Sequence, residues 1–206
     1  MKYIFLHGLG QTSSSWQKTI RVMDEESEIA CPDLFMLLQG REINYSNLYQ
    51  VFSEYCNTYS EPINLCGLSL GGILALQYLI ENPDRVHSAA LIGTQYAMPK
   101  KLLKVQNMIF QIMPAPAFQK MGLDKRSVIN LSASMMDLNF QQYLSNIVRP
   151  VLVLCGDKDK ANLQASVKLA EMIPHAEFDV IPNAGHEINL DAPEALGAKL
   201  NAFFAR

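Results

Sequence analysis

Ile63-Asn64-Leu65-Cys66-Gly67-Leu68-Ser69-Leu70-Gly71-Gly72-Ile73-Leu74-Ala75-Leu76 is the stretch that decides the fold. A short apolar run reads as a strand over Ile63–Cys66, and an almost wholly apolar helix is predicted over Leu70–Glu81, stopped by Asn82-Pro83. Between them stands Gly67-Leu68-Ser69-Leu70-Gly71. Small residues two positions either side of a serine let strand and helix backbones pass closely, so a sharp turn can lift the hydroxyl beyond the strand end. The N–H of Leu70, at the start of that helix, would face an oxygen that becomes negative in a reaction.

Outward from this turn, apolar runs alternate with helix-period stretches along the whole chain. Strands are predicted at Lys2–Leu6, Ile29–Pro32, Val86–Ile92, Val151–Cys155 and Glu177–Ile181, and further helices at Ser14–Met23, Tyr45–Tyr59, Leu163–Met172 and Pro193–Phe204. Continuously apolar strands are those covered on both faces, so the reading is a three-layer α/β/α sandwich with about six parallel strands. The 206 residues form one domain, 1–206.

One stretch breaks the alternation. Residues 97–149 carry two or three helical patterns, six of the ten methionines, and seven Lys/Arg against Asp124 and Asp137. That is +5 within a chain of net charge −3, leaving −8 elsewhere. So long an excursion inside a compact fold is usually functional, and it is read as a small helical lid. Its methionines suit an adaptable apolar pocket. Its charge suggests an anionic substrate, although lysines 100, 101 and 104 read equally as a solvated helix face.

The same composition narrows the function classes. Net charge −3 offers no bulk attraction to nucleic acid. No apolar run approaches the roughly 18 residues of a membrane span, and the apolar start before His7 is too short for a signal peptide. Cysteines 31, 56, 66 and 155 lack Cys-x-x-Cys spacing and read as reduced thiols of a cytoplasmic protein. Neither metal nor cofactor is expected.

A serine nucleophile needs a base. His87 opens a strand and His175 lies in a polar turn, whereas His186, in Asn183-Ala184-Gly185-His186-Glu187, follows the last strand at the edge where open α/β sheets bind ligands. His186 is the predicted base. His7, in His7-Gly8-Leu9-Gly10, is suited to shaping a loop whose Leu9 N–H supplies a second oxyanion donor. After the fifth strand, Gly156-Asp157-Lys158-Asp159 offers two carboxylates. Asp159, farther into the loop, is preferred, with Asp157 as the alternate and a candidate for simple turn chemistry. The order Ser…Asp…His, each at a strand's carboxyl end, is that of α/β-hydrolases.

The chain resembles the α/β-hydrolase superfamily over nearly its full length. His7-Gly8-Leu9-Gly10 through Trp16, Cys31-Pro32-Asp33-Leu34, Gly67–Gly72, Asn82-Pro83-Asp84-Arg85-Val86, Gly156–Asp159 and Ala184-Gly185-His186 with Pro193 carry the likeness. It implies Ser69 as nucleophile, His186 as base, Asp159 as acid, and Leu9 and Leu70 as backbone oxyanion donors. His7, Trp16, Met108, Met113 and Met135 are candidate substrate contacts. The chain opens on the strand carrying the His-Gly loop, so the family's first two antiparallel strands are absent from the expected sheet. Phe35-Met36-Leu37-Leu38-Gln39-Gly40 replaces the family's usual Gly-x-Gly turn. The implied activity is hydrolysis of a small carboxylic ester or thioester. Alternatives within the resemblance are a lyase or synthase acting on an anionic substrate, like the menaquinone-pathway synthase, with Arg126 and Arg149 as anion contacts, or a non-catalytic ligand-binding member.

Overall fold

A computed structural model describes residues 1–24, 28–114, 118 and 123–205. Six strands, β1 (Tyr3–Leu6), β2 (Ile29–Ala30), β3 (Ile63–Leu68), β4 (Val86–Ile92), β5 (Val151–Gly156) and β6 (Glu177–Ile181), form one sheet in the order β2-β1-β3-β4-β5-β6. Every pairing is parallel. All strands therefore end at the same edge, and the loops leaving β1, β3, β4, β5 and β6 converge there.

Alternation along the strands feeds two cores, because successive side chains point to opposite faces. Ile4, Leu6, Leu65, Ala89, Leu91, Val151 and Val153 pack against α2 (Tyr45–Cys56), α3 (Leu70–Glu81) and α6 (Leu163–Met172). Phe5, Cys66, Leu68, Ala90, Ile92, Leu152 and Leu154 face the other way, toward Trp16, Met23 and α8 (Pro193–Phe204). The result is the three-layer sandwich. Nearly every residue of α3 is buried, as its apolar composition predicts.

Several boundaries differ from the sequence reading. The helix predicted over Ser14–Met23 splits into a 3-10 turn, Ser13–Trp16, and one α turn, α1 (Gln17–Ile20). Three consecutive serines compete for backbone hydrogen bonds, and the Ser15 hydroxyl accepts from the Thr12 N–H. β2 stops at Ala30, two residues before Pro32, which has no N–H to donate. α2 ends at Cys56 rather than Tyr59, where the Thr58 hydroxyl takes up the Tyr55 carbonyl. β3 extends past Cys66 to Leu68, directly into the serine turn.

Between β4 and β5 stand α4 (Lys100–Ile112), α5 (Lys125–Ser134) and a 3-10 turn, Gln141–Asn146. The excursion leaves and returns through a narrow neck. Ala97 bridges Asn139 antiparallel, Met98 N–H donates to the Leu138 carbonyl and Phe140 N–H to the Tyr96 carbonyl. After this neck the chain rejoins the body, with Leu144 and Ile147 buried in the central core. Phe110, Phe118, Leu123 and Val128 form a third apolar cluster that packs on Leu9, Phe35 and Ile43. Two helices complete the fold: the four-residue α7 (Ile188–Asp191) follows His186, and the twelve-residue α8 follows it.

Candidate active site

The serine turn is built from contacts that exclude side chains. A methyl group on Gly67 would lie 2.3 Å from the Gly71 carbonyl oxygen, and one on Gly71 2.4 Å from that of Leu6. Ser69 takes φ 54° and ψ −113°, a conformation that costs a non-glycine residue about 1–3 kcal/mol. Its N–H donates to the Ile92 carbonyl at 2.8 Å, which locks the turn onto the end of β4. Among the described residues its hydroxyl has no hydrogen-bond partner. The Gly8 backbone runs alongside, so that a methyl on Gly8 would sit 3.6 Å from Ser69 Cβ. Neither the Leu9 nor the Leu70 N–H bonds to a described residue, and Leu70, as the first residue of α3, has no acceptor within its helix.

The predicted acid and base, 27 residues apart in sequence, meet in the fold. His186 Nδ1 lies 2.6 Å from Asp159 Oδ2. A carboxylate can only accept, so Nδ1 carries the proton and Nε2 is left bare as a base. Asp159 is buried while His186 remains part-exposed. Burial pushes the Asp159 carboxyl upward as the largest influence. Hydrogen bonds from His186 and Asn162, with the histidine's charge, outweigh it, and the net shift is below the ordinary 3.8. Asp157 is exposed and has no bond to the histidine. Both partners abut Gly93, just past β4: at φ 54° its missing Cβ would fall 3.0 Å from His186 Cε1 and 3.4 Å from Asp159 Oδ2. Ser69, bonded to Ile92, stands on that same strand end.

Residues 3–198 match the alpha/beta hydrolase family. The chain belongs to the α/β-hydrolase family of enzymes. An (E)-2-((N-methylformamido)methylene)succinate hydrolase of Acinetobacter baylyi is 22% identical, covering 97% of this chain and 89% of its own length. An uncharacterized carboxylesterase of Bacillus subtilis is 24% identical over 98% of this chain and 78% of its own. The crystal structure of an enol-lactonase from Burkholderia xenovorans superposes with TM-score 0.84 at 17% identity, covering all of this chain and 92% of that one.

Other candidate residues fall outside this α/β-hydrolase site. His7 is fully buried: its Nδ1–H donates to the Gly8 carbonyl at 2.9 Å and its Nε2 accepts from the Leu34 N–H at 3.0 Å. Both ring nitrogens are consumed by backbone, so His7 braces the loop and touches no substrate. Burial is the main reason its pKa falls below 6.5. Trp16 is likewise fully buried, edge-on against Phe5 in the core on the α8 side of the sheet, and cannot contact a ligand. Met108 is 66% exposed on the outer face of α4, which corrects its assignment to a pocket. Met113 packs against the Phe110–Phe118 cluster beside Leu9, and Met135 against the central core. Met121 and Lys120 lie outside the described residues.

The excursion's charge is partly spent within the protein. Lys100 Nζ pairs with Asp137 at 2.6 Å, and Lys125 Nζ bonds the Gln111 and Met113 carbonyls at the end of α4. Arg149 bonds Pro83 and Asp84, which precede β4 as Arg149 precedes β5. It therefore sits at the strands' starting edge, opposite Ser69, and is no anion contact for this site.

Two polar networks have no counterpart in the sequence reading. Asn162 Nδ2 donates to both Asp159 oxygens at 2.9 Å, and its Oδ1 accepts from Gln95 Nε2 at 2.8 Å. Gln11 and Asn189, both buried, exchange reciprocal amide bonds of 3.2 and 3.1 Å, while Gln11 Nε2 also donates to Glu187 at 2.9 Å. This pair ties the loop of Leu9 to the loop of His186. Asparagines and glutamines beside the suspected catalytic loops were the only signal in the sequence, and single amides are too common to be read that way. Among the described residues, no group of three or more His, Cys, Asp or Glu could hold a metal ion, and no helix is long and apolar enough to cross a membrane.

Proposed function

We propose that this protein is a serine hydrolase of small carboxylic esters or thioesters. The carrying observation is Ser69, held at positive φ on the same strand edge as a 2.6 Å Asp159–His186 pair. His186 Nε2 takes the Ser69 proton as Oγ attacks the acyl carbon. Asp159 keeps the imidazole in the required tautomer and stabilises its charge. The Leu9 and Leu70 N–H groups receive the developing oxyanion, and the imidazolium gives its proton to the departing alcohol or thiol as the acyl C–O or C–S bond breaks. The same histidine, neutral again, then activates a water that releases the acid and restores Ser69. No step calls for a metal or cofactor.

The helical part of the excursion beyond the Ala97–Asn139 neck, rather than the whole of residues 97–149, acts as the lid in this reading. Leu9, an oxyanion-loop residue in this reading, packs with Phe35 and Met113 against the cluster of Phe110 and Phe118, so the acyl group meets apolar walls. With Lys100, Lys125 and Arg149 engaged by the protein itself, charge recognition contributes less than apolar fit. The synthase reading loses Arg149 for the same reason and keeps only the exposed Arg126.

The test is a ladder of p-nitrophenyl esters from acetate to decanoate, assayed with native protein and Ser69→Ala. Activity that falls at least about a thousandfold in the variant supports the reading, since removing a triad member leaves little beyond binding and oxyanion catalysis. Folded native protein inert on every ester and thioester would overturn it. Product analysis with an anionic substrate would then separate the synthase from a ligand-binding member.

A further inference from the structure

Asn162 occupies a position where asparagine ordinarily does something else. It is the residue before α6, the N-cap, and asparagine is among the best residues for capping free helix N–H groups. Its side chain makes no such bond. Instead its amide nitrogen lies 2.9 Å from each Asp159 oxygen and 3.1 Å from His186 Nδ1, while its backbone N–H points at Asp159 Oδ1 at 3.3 Å. Forgoing the cap costs a helix about 1 kcal/mol, so this diversion needs a reason in the acid.

Gln95 supplies the second half. It comes from the loop after β4, 67 residues away, and its Nε2 donates to Asn162 Oδ1 at 2.8 Å. An amide whose oxygen is held in this way must turn its NH2 the other way, toward Asp159. Gln95 thus fixes which end of Asn162 faces the carboxylate.

We propose that Gln95 and Asn162 are positioning residues that aim and electrostatically temper Asp159. The proposal rests on the hydrolase reading for its kinetic consequences and on geometry alone for its effect on His186. Without the Asn162 amide, Oδ1 keeps only the longer backbone N–H contact at 3.3 Å, so the carboxylate is held less firmly about its Cβ–Cγ bond and Oδ2 is aimed less sharply at Nδ1. The carboxylate, no longer shared with the amide, also interacts more strongly with the Nδ1–H, so the Nδ1–H···Oδ2 bond itself is altered. The other charged groups around His186 are Lys158, bonded to the Asn183 carbonyl, Glu187, bonded to Gln11, and Asp191, which accepts from the Gly185 N–H. None of them contacts Asn162 or Gln95.

Two variants separate positioning from bulk structure. Asn162→Ala removes the donor. Gln95→Met keeps length and volume but loses the bond to Asn162 and touches neither Asp159 nor His186. The pH dependence of kcat and KM on a p-nitrophenyl ester is measured for both and for the double variant, with thermal melts to verify folding. The His186 Nδ1–H proton is followed in parallel by NMR. Asn162→Ala is expected to lower kcat about tenfold with KM within about twofold, the cost of a loosened catalytic group. It should shift the His186 Nδ1–H resonance, which reports directly on the bond to Asp159. Gln95→Met should show the same signs at smaller size, and the double variant should be no worse than Asn162→Ala alone. Equal losses that simply add, or a His186 Nδ1–H resonance unmoved in Asn162→Ala, would overturn the proposal. If the native protein turns over no ester, the hydrolase reading fails and the Nδ1–H resonance still decides this one.

Discussion

Replacing Gly93 by alanine tests the geometry of the acid–base pair most directly. The perturbation has two separable parts. At φ 54° an alanine costs about 1–2 kcal/mol relative to glycine, partly offset by a stiffer unfolded chain. Its Cβ would also stand 3.0 Å from His186 Cε1 and 3.1 Å from Nδ1, closer than ordinary van der Waals contact. The Asp159 side of the contact is buried and fixed, whereas the imidazole is 38% exposed, so the ring yields toward solvent by a few tenths of an ångström. A displacement of about 1 Å costs roughly a hundredfold in rate, so a shift of this size costs on the order of tenfold in kcat. KM should hold, because nothing that binds the acyl group has moved.

Gly40→Ala is the matched control. Gly40 has φ 86° and nothing within 4 Å of an added Cβ, so it carries the backbone penalty without the contact. Urea unfolding and steady-state kinetics on the preferred p-nitrophenyl ester are measured for both. Each variant should lose roughly 1 kcal/mol of stability, and only Gly93→Ala should lose kcat. A folded Gly93→Ala with kcat within about twofold of native, or a Gly40→Ala with an equal kcat loss, would refute the reasoning.

Two further outcomes follow from the buried polar groups. Gln11→Leu and Asn189→Leu each leave a buried amide without its partner, which costs about 1–3 kcal/mol, and the double variant should recover at least about 1 kcal/mol of the summed loss in a denaturation cycle. Strict additivity would mean that the clasp between the two loops contributes no coupling. For His7, whose pKa burial lowers, the unfolded chain binds the proton more readily, so its contribution to stability is complete above pH 6.5 and declines as the pH falls toward the folded value. Native protein should therefore lose urea stability between pH 7.5 and pH 5.5, and His7→Gln should flatten that slope; an unchanged slope removes His7 as its source.

Much of the fold was legible because its signals are local. Strand and helix identity follows from periodicity over a few residues, and the Gly-x-Ser-x-Gly turn needs only the close backbone approaches found at Gly67 and Gly71. Element ends were read less well. Pro32 and the serine run at residues 13–15 act through single hydrogen bonds that periodicity does not register. The candidate triad was also readable, because each residue follows a strand and parallel strands deliver their ends to one edge.

Sequence alone thus determined the layer order and the sheet edge at which Ser69, Asp159 and His186 stand. Only the tertiary structure decided what surrounds them. It buried Trp16 and both nitrogens of His7, turned Met108 outward, and set Arg149 at the far edge of the sheet. It also joined Gln95 to Asn162 across 67 residues and Gln11 to Asn189 across 178. The physical reason is common to all of these. A backbone period records which face of an element is apolar, but a polar side chain's partner is whatever packing brings within about 3 Å of it.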